Sequence, residues 1–135
     1  MLDLAKTNIA EAAEAGAEFE LLIPKSNTPT GAFIKVRGPE SKTVRDYARK
    51  TYAEMQARDS VARKRGKEPE TITIEEAETM AINSAVVRVI SWRGITDNGK
   101  DVEFTAEAAR EVFRKHPWIR DQVMEESDSI LYFQP

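Results

Sequence analysis

The residues nearest to a reaction chemistry lie in SWRGITDNGKD, Ser91 to Asp101, where Gly94, four residues, Gly99 and Lys100 make most of a phosphate-binding loop. Such a loop needs glycines so that backbone N–H groups can surround the phosphates, a lysine for charge, and a Ser or Thr hydroxyl for magnesium where a helix begins. Here Asp101 takes the hydroxyl's place, and a carboxylate there repels phosphate. The following VEF reads as extended, which delays the helix start to about Thr105. Asn98-Gly99 is a strong reverse-turn signal, because both residues tolerate positive φ. The stretch is therefore expected to be a turn rather than a nucleotide site. Asp97, Asn98, Gly99 and Asp101 also miss the one-three-five ligand spacing, with glycine at six, of a calcium loop.

No other constellation supports catalysis. The single histidine, His116, stands before Pro117 at a helix boundary with no local Ser or Cys nucleophile, so a turn or packing role is expected. One histidine makes no metal cluster, and the absence of cysteine excludes disulfides and thiolate ligands. The sequence thus assigns no catalytic residue, no cofactor and no metal, and a non-enzymatic protein is expected.

Charge is the more informative feature. Between Lys42 and Lys67 nine basic residues face only Asp46, Glu54 and Asp59, a net of +6, so in a chain of net −3 the remainder carries −9. Segregation of this kind favours contact with a charged partner, or head-to-tail contact with a second copy. Arg58 to Lys67 also invites a nucleic-acid reading, against which stand the lack of interleaved aromatics and the acidic chain as a whole. Trp92 and Trp118 are expected in the core. The terminal Ile130, Leu131, Tyr132 and Phe133 follow an acidic EESDS, and little chain remains to cover them, so they either dock back or form a contact surface.

Around these residues the elements can be read from periodicity. Asp3 and Gly16 bracket a short Ala-rich helix that is alternatively a mobile arm, residues 1–16. EFELLIP and AFIKVRG alternate as two strands joined by the turn-rich PKSNTPTG. Ser41 can cap a long helix with Val44, Ala48, Thr51, Met55 and Ala62 at helical spacing, ending before Gly66 and Pro69. Thr73 and Glu76 have capping-box spacing, and Ile74, Ala77, Ala81, Ala85, Val89 and Trp92 make one stripe of a central buried helix, although AVVRVI alone reads equally as a strand. Thr105 can cap a helix through AEAAREVFRKH, and Pro117 opens another in PWIRDQVMEE.

Together these predict an α+β, predominantly α-helical fold: an N-terminal β-hairpin followed by a compact bundle of about four helices, in one domain over 1–135 with a tail at 127–135. The 135 residues and 41% apolar content suit one buried core. No apolar run approaches the roughly 20 residues that span a bilayer. The N-terminus lacks the basic flank and apolar stretch of a signal peptide. A cytoplasmic protein is expected.

Taken in order, EAGAEFELLIP…TGAFIKVRGPES, a charged helix, WRGITDNGKDVEFTAEAAREVF and PWIRDQV resemble the tail assembly chaperones of long-tailed double-stranded DNA phages. The likeness runs over roughly Ala10 to Val123 and leans on Trp92-Arg93-Gly94, Asn98-Gly99, Phe104-Thr105 and Pro117-Trp118-Ile119. It implies a non-enzymatic assembly factor of the host cell cytoplasm, absent from the mature virion, that coats the tape measure protein before the tail tube forms. A longer frameshifted form of such chaperones recruits the tail tube protein. Self-association is expected, membrane and nucleic-acid contacts are not. The residues expected to meet partners are Arg58, Arg63, Lys64 and Arg65 at the basic helix end, and Ile130, Leu131, Tyr132 and Phe133 in the tail. Competing readings are a structural minor tail or head–tail connector protein, and a small nucleic-acid-binding regulator using residues 58–67.

Overall fold

The computed structural model describes residues 1–5, 7–68 and 71–130. A short helix α1 (Ile9–Ala15) leads into the antiparallel hairpin β1 (Ala17–Ile23) and β2 (Thr28–Val36). Two long helices follow, α2 (Lys42–Lys64) and α3 (Ile74–Arg88), then strand β3 (Val89–Arg93). A small hairpin, β4 (Thr96–Asp97) and β5 (Lys100–Asp101), precedes α4 (Ala106–Lys115) and α5 (Pro117–Asp128). The sheet order is β1-β2-β3, all antiparallel, with β2 in the middle.

The α+β, helix-dominated fold with an N-terminal hairpin follows from alternation along the strands. Leu21, Ala32, Ile34 and Val36 are buried on one sheet face, where α3, α4 and α5 add Ile82, Ala85, Ala109, Phe113, Ile119 and Val123. The opposite face is polar and solvated. There Glu18, Lys35 and Arg93 surround Phe33, with the Arg93 guanidinium 4.0 Å above the Phe33 ring and 3.0 Å from Glu18 Oε1. Burial of the inner face supplies most of the driving force, since each large side chain removed from water contributes about 1.5–3 kcal/mol.

Helix ends are set locally. Ser41 Oγ accepts from Val44 N at 3.0 Å, Thr73 Oγ1 from Glu76 N at 3.1 Å and Thr105 Oγ1 from Ala108 N at 3.0 Å, three N-caps that each satisfy an orphan donor. α2 stops in a Schellman turn: Gly66, at φ 70°, donates to Arg63 O, while Lys67 N donates to Ala62 O. Pro117 stands at the start of α5, as expected.

Three expectations need correction. α1 begins at Ile9 with Asn8 as its cap, because Asn8 Oδ1 accepts from Glu11 N. Asp3 instead accepts from Ala5 N in a turn. The AVVRVI run is divided, helix to Arg88 and strand from Val89. Its β-branched residues hold helix weakly, and β2 offers an open edge that Val89, Ser91, Trp92 and Arg93 fill. Arg37 fixes the switch: its backbone N donates to Arg88 O at 2.6 Å, and its Nη1 donates to Val87 O and Val89 O, both at 3.1 Å. A guanidinium therefore satisfies carbonyls that the ending helix leaves without partners. The stripe read through Ile74, Ala77 and Ala81 is exposed, with Ile74 at 84% exposure; the buried face is Ile82 and Ala85.

The polar side of the fold is a network around Glu14. Its carboxylate receives Thr43 N at 3.2 Å, the Thr43 hydroxyl, and Arg37 Nε at 3.2 Å, which ties α1 to the first turn of α2. Arg37 O in turn accepts from Ser127 Oγ, and Arg88 Nη1 donates to Ser127 Oγ and Asp128 Oδ1 at 3.0 and 2.8 Å. The ends of α2, α3 and α5 are thereby joined beside the β2–β3 exit.

Candidate partner-binding surface

The GITDNGKD stretch forms the β4–β5 hairpin, with Thr96 opposite Asp101 and Asp97 opposite Lys100. Asn98 and Gly99, at φ 51° and 79°, make its two-residue turn. The helix after Gly99 starts only at Ala106, so no helix N-terminus faces the two glycines. The segment after the hairpin instead packs on the core: Trp92 Nε1 donates to Val102 O at 2.7 Å, and the Trp92 and Phe104 rings meet edge to face at 5.1 Å. Trp92 and Trp118 are both half-buried and packed against the core. His116 is exposed at the α4–α5 junction, where its N and O take part in backbone turns.

Among the described residues no cluster of His, Asp and Glu is placed to hold a metal ion, and no helix is long and apolar enough to cross a membrane. The shifted titrations belong to surface contacts. The Thr43 hydroxyl holds the Glu14 carboxyl below the ordinary range, and hydrogen bonds from Arg93, Lys42 and Lys115 do the same for Glu18, Asp46 and Glu111. These are carboxylates kept charged by neighbours, and none is poised as a proton donor near neutral pH.

A concave surface of largely apolar character runs between α2 and α3. Thr51, Met55, Glu76 and Met80 line a cavity of about 420 Å³, and a second of about 320 Å³, lined by Tyr47, Thr51, Tyr52, Met55, Val87 and Arg88, adjoins it through the shared Thr51 and Met55. The two helices form an arm that outgrows the core. Of the 23 residues of α2 only Val44 is buried, and Tyr52, Val61, Ile72 and Ile74 are exposed. Met55 was expected to face inward; it is half-buried and floors this groove. The helical spacing carried that much of the signal, but the depth of burial depends on how far α3 extends alongside.

The sequence-predicted contact residues that the structure describes are not gathered into one patch. Arg58 turns toward α3, its Nη1 3.1 Å from Glu76 Oε2. Arg63, Lys64 and Arg65 are exposed in the last turn and cap of α2, where cations complement the helix dipole. Ile130 lies at the other end of the arm, half-buried against the core and beside Gly38, where an added Cβ would be 3.5 Å from the Ile130 Cβ. A helix the length of α2, roughly 33 Å between its two ends, separates them. Leu131, Tyr132 and Phe133 lie outside the described residues.

A family model described as YdaY prophage protein matches residues 36–134, from the end of β2 through all of α2 to α5. No curated protein and no solved structure matches the chain. With the family match spanning most of its length, the chain belongs to the YdaY prophage protein family and is of phage origin.

Proposed function

We infer that this protein is a non-enzymatic tail assembly chaperone, which binds the tape measure protein in the host cytoplasm, keeps it soluble, promotes assembly of the tail tube around it, and leaves before the virion is complete. The observation that carries this reading is the exposed α2–α3 arm with its methionine-floored groove, on a protein of phage origin. A long helical partner with exposed apolar positions aggregates alone, and a groove between two helices is a surface on which an amphipathic helix can lie. Methionine side chains adapt to varied partners, as a client that presents many different turns requires. The exposed basic end of α2, Arg63, Lys64 and Arg65, gives the arm a charged margin. The ordered resemblance of the strand, turn and helix segments to tail assembly chaperones supports the same reading.

The test is the composition of phage particles against that of the lysate. After induction, the chain should co-precipitate with the tape measure protein from lysate and be missing from purified particles. Its presence in particles at a fixed copy number would favour a minor tail or connector component instead.

A further inference from the structure

Two surfaces are available on α2: one faces α3, and the other adjoins it at Tyr52, which lines the margin of the groove. Val44, Thr51, Met55 and Ala62 mark the side turned to α3 and the core. Positions 45, 49, 52, 56, 59 and 63 recur at alternating steps of four and three, so they form one stripe about 100° around the helix from that side. The stripe reads Arg45, Arg49, Tyr52, Gln56, Asp59 and Arg63. Alternating steps of three and four are the spacing of a coiled-coil seam, along which a second helix can run without losing register. This seam is charged rather than apolar.

Its residues are poised for a partner. Arg45 and Arg63 are exposed and make no ion pair among the described residues, while Arg49 lies 3.5 Å from Asp46 with 69% of its side chain exposed. Tyr52, 67% exposed, stands among them. Arginine and tyrosine are the residue types over-represented at the energetic centres of interfaces.

We propose that this outer seam of α2 is a docking surface for an acidic α-helix of a partner protein, with carboxylates placed to meet Arg45, Arg49 and Arg63 and an apolar residue against Tyr52. Charge complementarity selects the occupant. The three guanidinium groups are spread over about 27 Å of helix, which suits carboxylates projected at intervals by another helix. A nucleic-acid duplex carries a phosphate charge every ~1.7 Å, far denser than three arginines spread along one helix can match. The seam deepens the chaperone reading, on which it rests for the identity of the partner as the tape measure protein. The adjoining groove, whose margin shares Tyr52 with the seam, then holds apolar turns, and the seam sets direction and register.

The test uses the full chain, whose lack of cysteine allows a single fluorophore on a Cys introduced at Ser60. The probes are a helical peptide with Glu at the matching positions and Leu opposite Tyr52, the same peptide with Lys for Glu, and a fluorescent 20-base-pair DNA duplex. The acidic peptide should bind at least 10-fold more tightly than the basic peptide or the duplex. R45E/R49E/R63E should weaken it at least 10-fold, and Tyr52→Ala several-fold. K50E/K67E/K100E, an equal charge change at exposed positions off the seam, should change it less than 3-fold. Unchanged circular dichroism spectra establish that each variant is folded.

Equal binding of the two peptides, tighter binding of the duplex, or equal losses in the two triple variants would overturn the proposal. So would a concentration-dependent oligomer of the chain alone that R45E/R49E/R63E abolishes, since the occupant would then be a second copy. Co-expression with the tape measure protein separates the two levels: failure of the unaltered chain to solubilise it sinks the chaperone reading while the peptides still decide the seam. Equal solubilisation by R45E/R49E/R63E sinks the seam alone.

Discussion

Glu14 shows how much a single side chain joins in this fold. Its carboxylate accepts from the N–H and hydroxyl of Thr43 and from Arg37, and so anchors α1 to the N-terminal turn of α2. Because its folded pKa is lowered, chiefly by the Thr43 hydroxyl, the contribution is fully present above the ordinary glutamate value of about 4.3 and is lost as pH falls through the lower folded value. With the side chain 39% exposed, Glu14→Gln should lower stability near neutral pH by only about 1 kcal/mol. Urea titrations at pH 7 and pH 3 check this, and the difference between variant and parent should shrink at the lower pH. Gly16 is constrained by space as well as by its φ of 74°, since a Cβ there would collide with the Val36 carbonyl oxygen. Gly16→Ala should therefore lower stability by about 1–3 kcal/mol, measured by thermal unfolding. Neither Gly16 nor Glu14 shows its tertiary role in the sequence, where the first reads as a helix stop and the second belongs to no motif.

Elements were legible wherever the determining chemistry is local. Ser41, Thr73, Thr105 and Pro117 announce helix starts, and Asn98-Gly99 announces a turn, because each acts within four residues of itself. The division of AVVRVI was not legible, since it depends on Arg37, some fifty positions earlier, and on the free edge of β2. The outer edge of β1 is managed in the same long-range way: Gln122 on α5 donates to Leu22 O at 2.7 Å and accepts from Leu22 N at 3.0 Å, as a neighbouring strand would. Gln122→Ala should cost about 1–3 kcal/mol and speed amide hydrogen exchange at Leu22. The α2–α3 arm should exchange as a separate, less stable unit. Its distal turns, residues 56–64 and 74–81, bury no side chain, so they should lose protection at urea concentrations where the sheet, α4 and α5 retain theirs.

For the whole molecule, the useful signal was the separation of charge. A net of +6 between residues 42 and 67 against −9 elsewhere already made α2 the candidate surface for a charged partner. What the sequence left open was the geometry: Arg58 is turned to Glu76, Ile130 is packed beside Gly38, and the basic helix end and Ile130 lie at opposite ends of the arm. Candidate contact residues chosen by composition are therefore divided by a fold that only the packing of α2 on α3 determines. In the proposed function, this arm keeps a long helical tail protein soluble. The most direct measurement of this is the soluble fraction of the tape measure protein expressed with the chain, without it, and with a Met55→Glu/Met80→Glu variant of the groove. Soluble complex is expected with the unaltered chain, and mostly insoluble partner in the other two cases; a partner equally soluble in all three would contradict the chaperone reading.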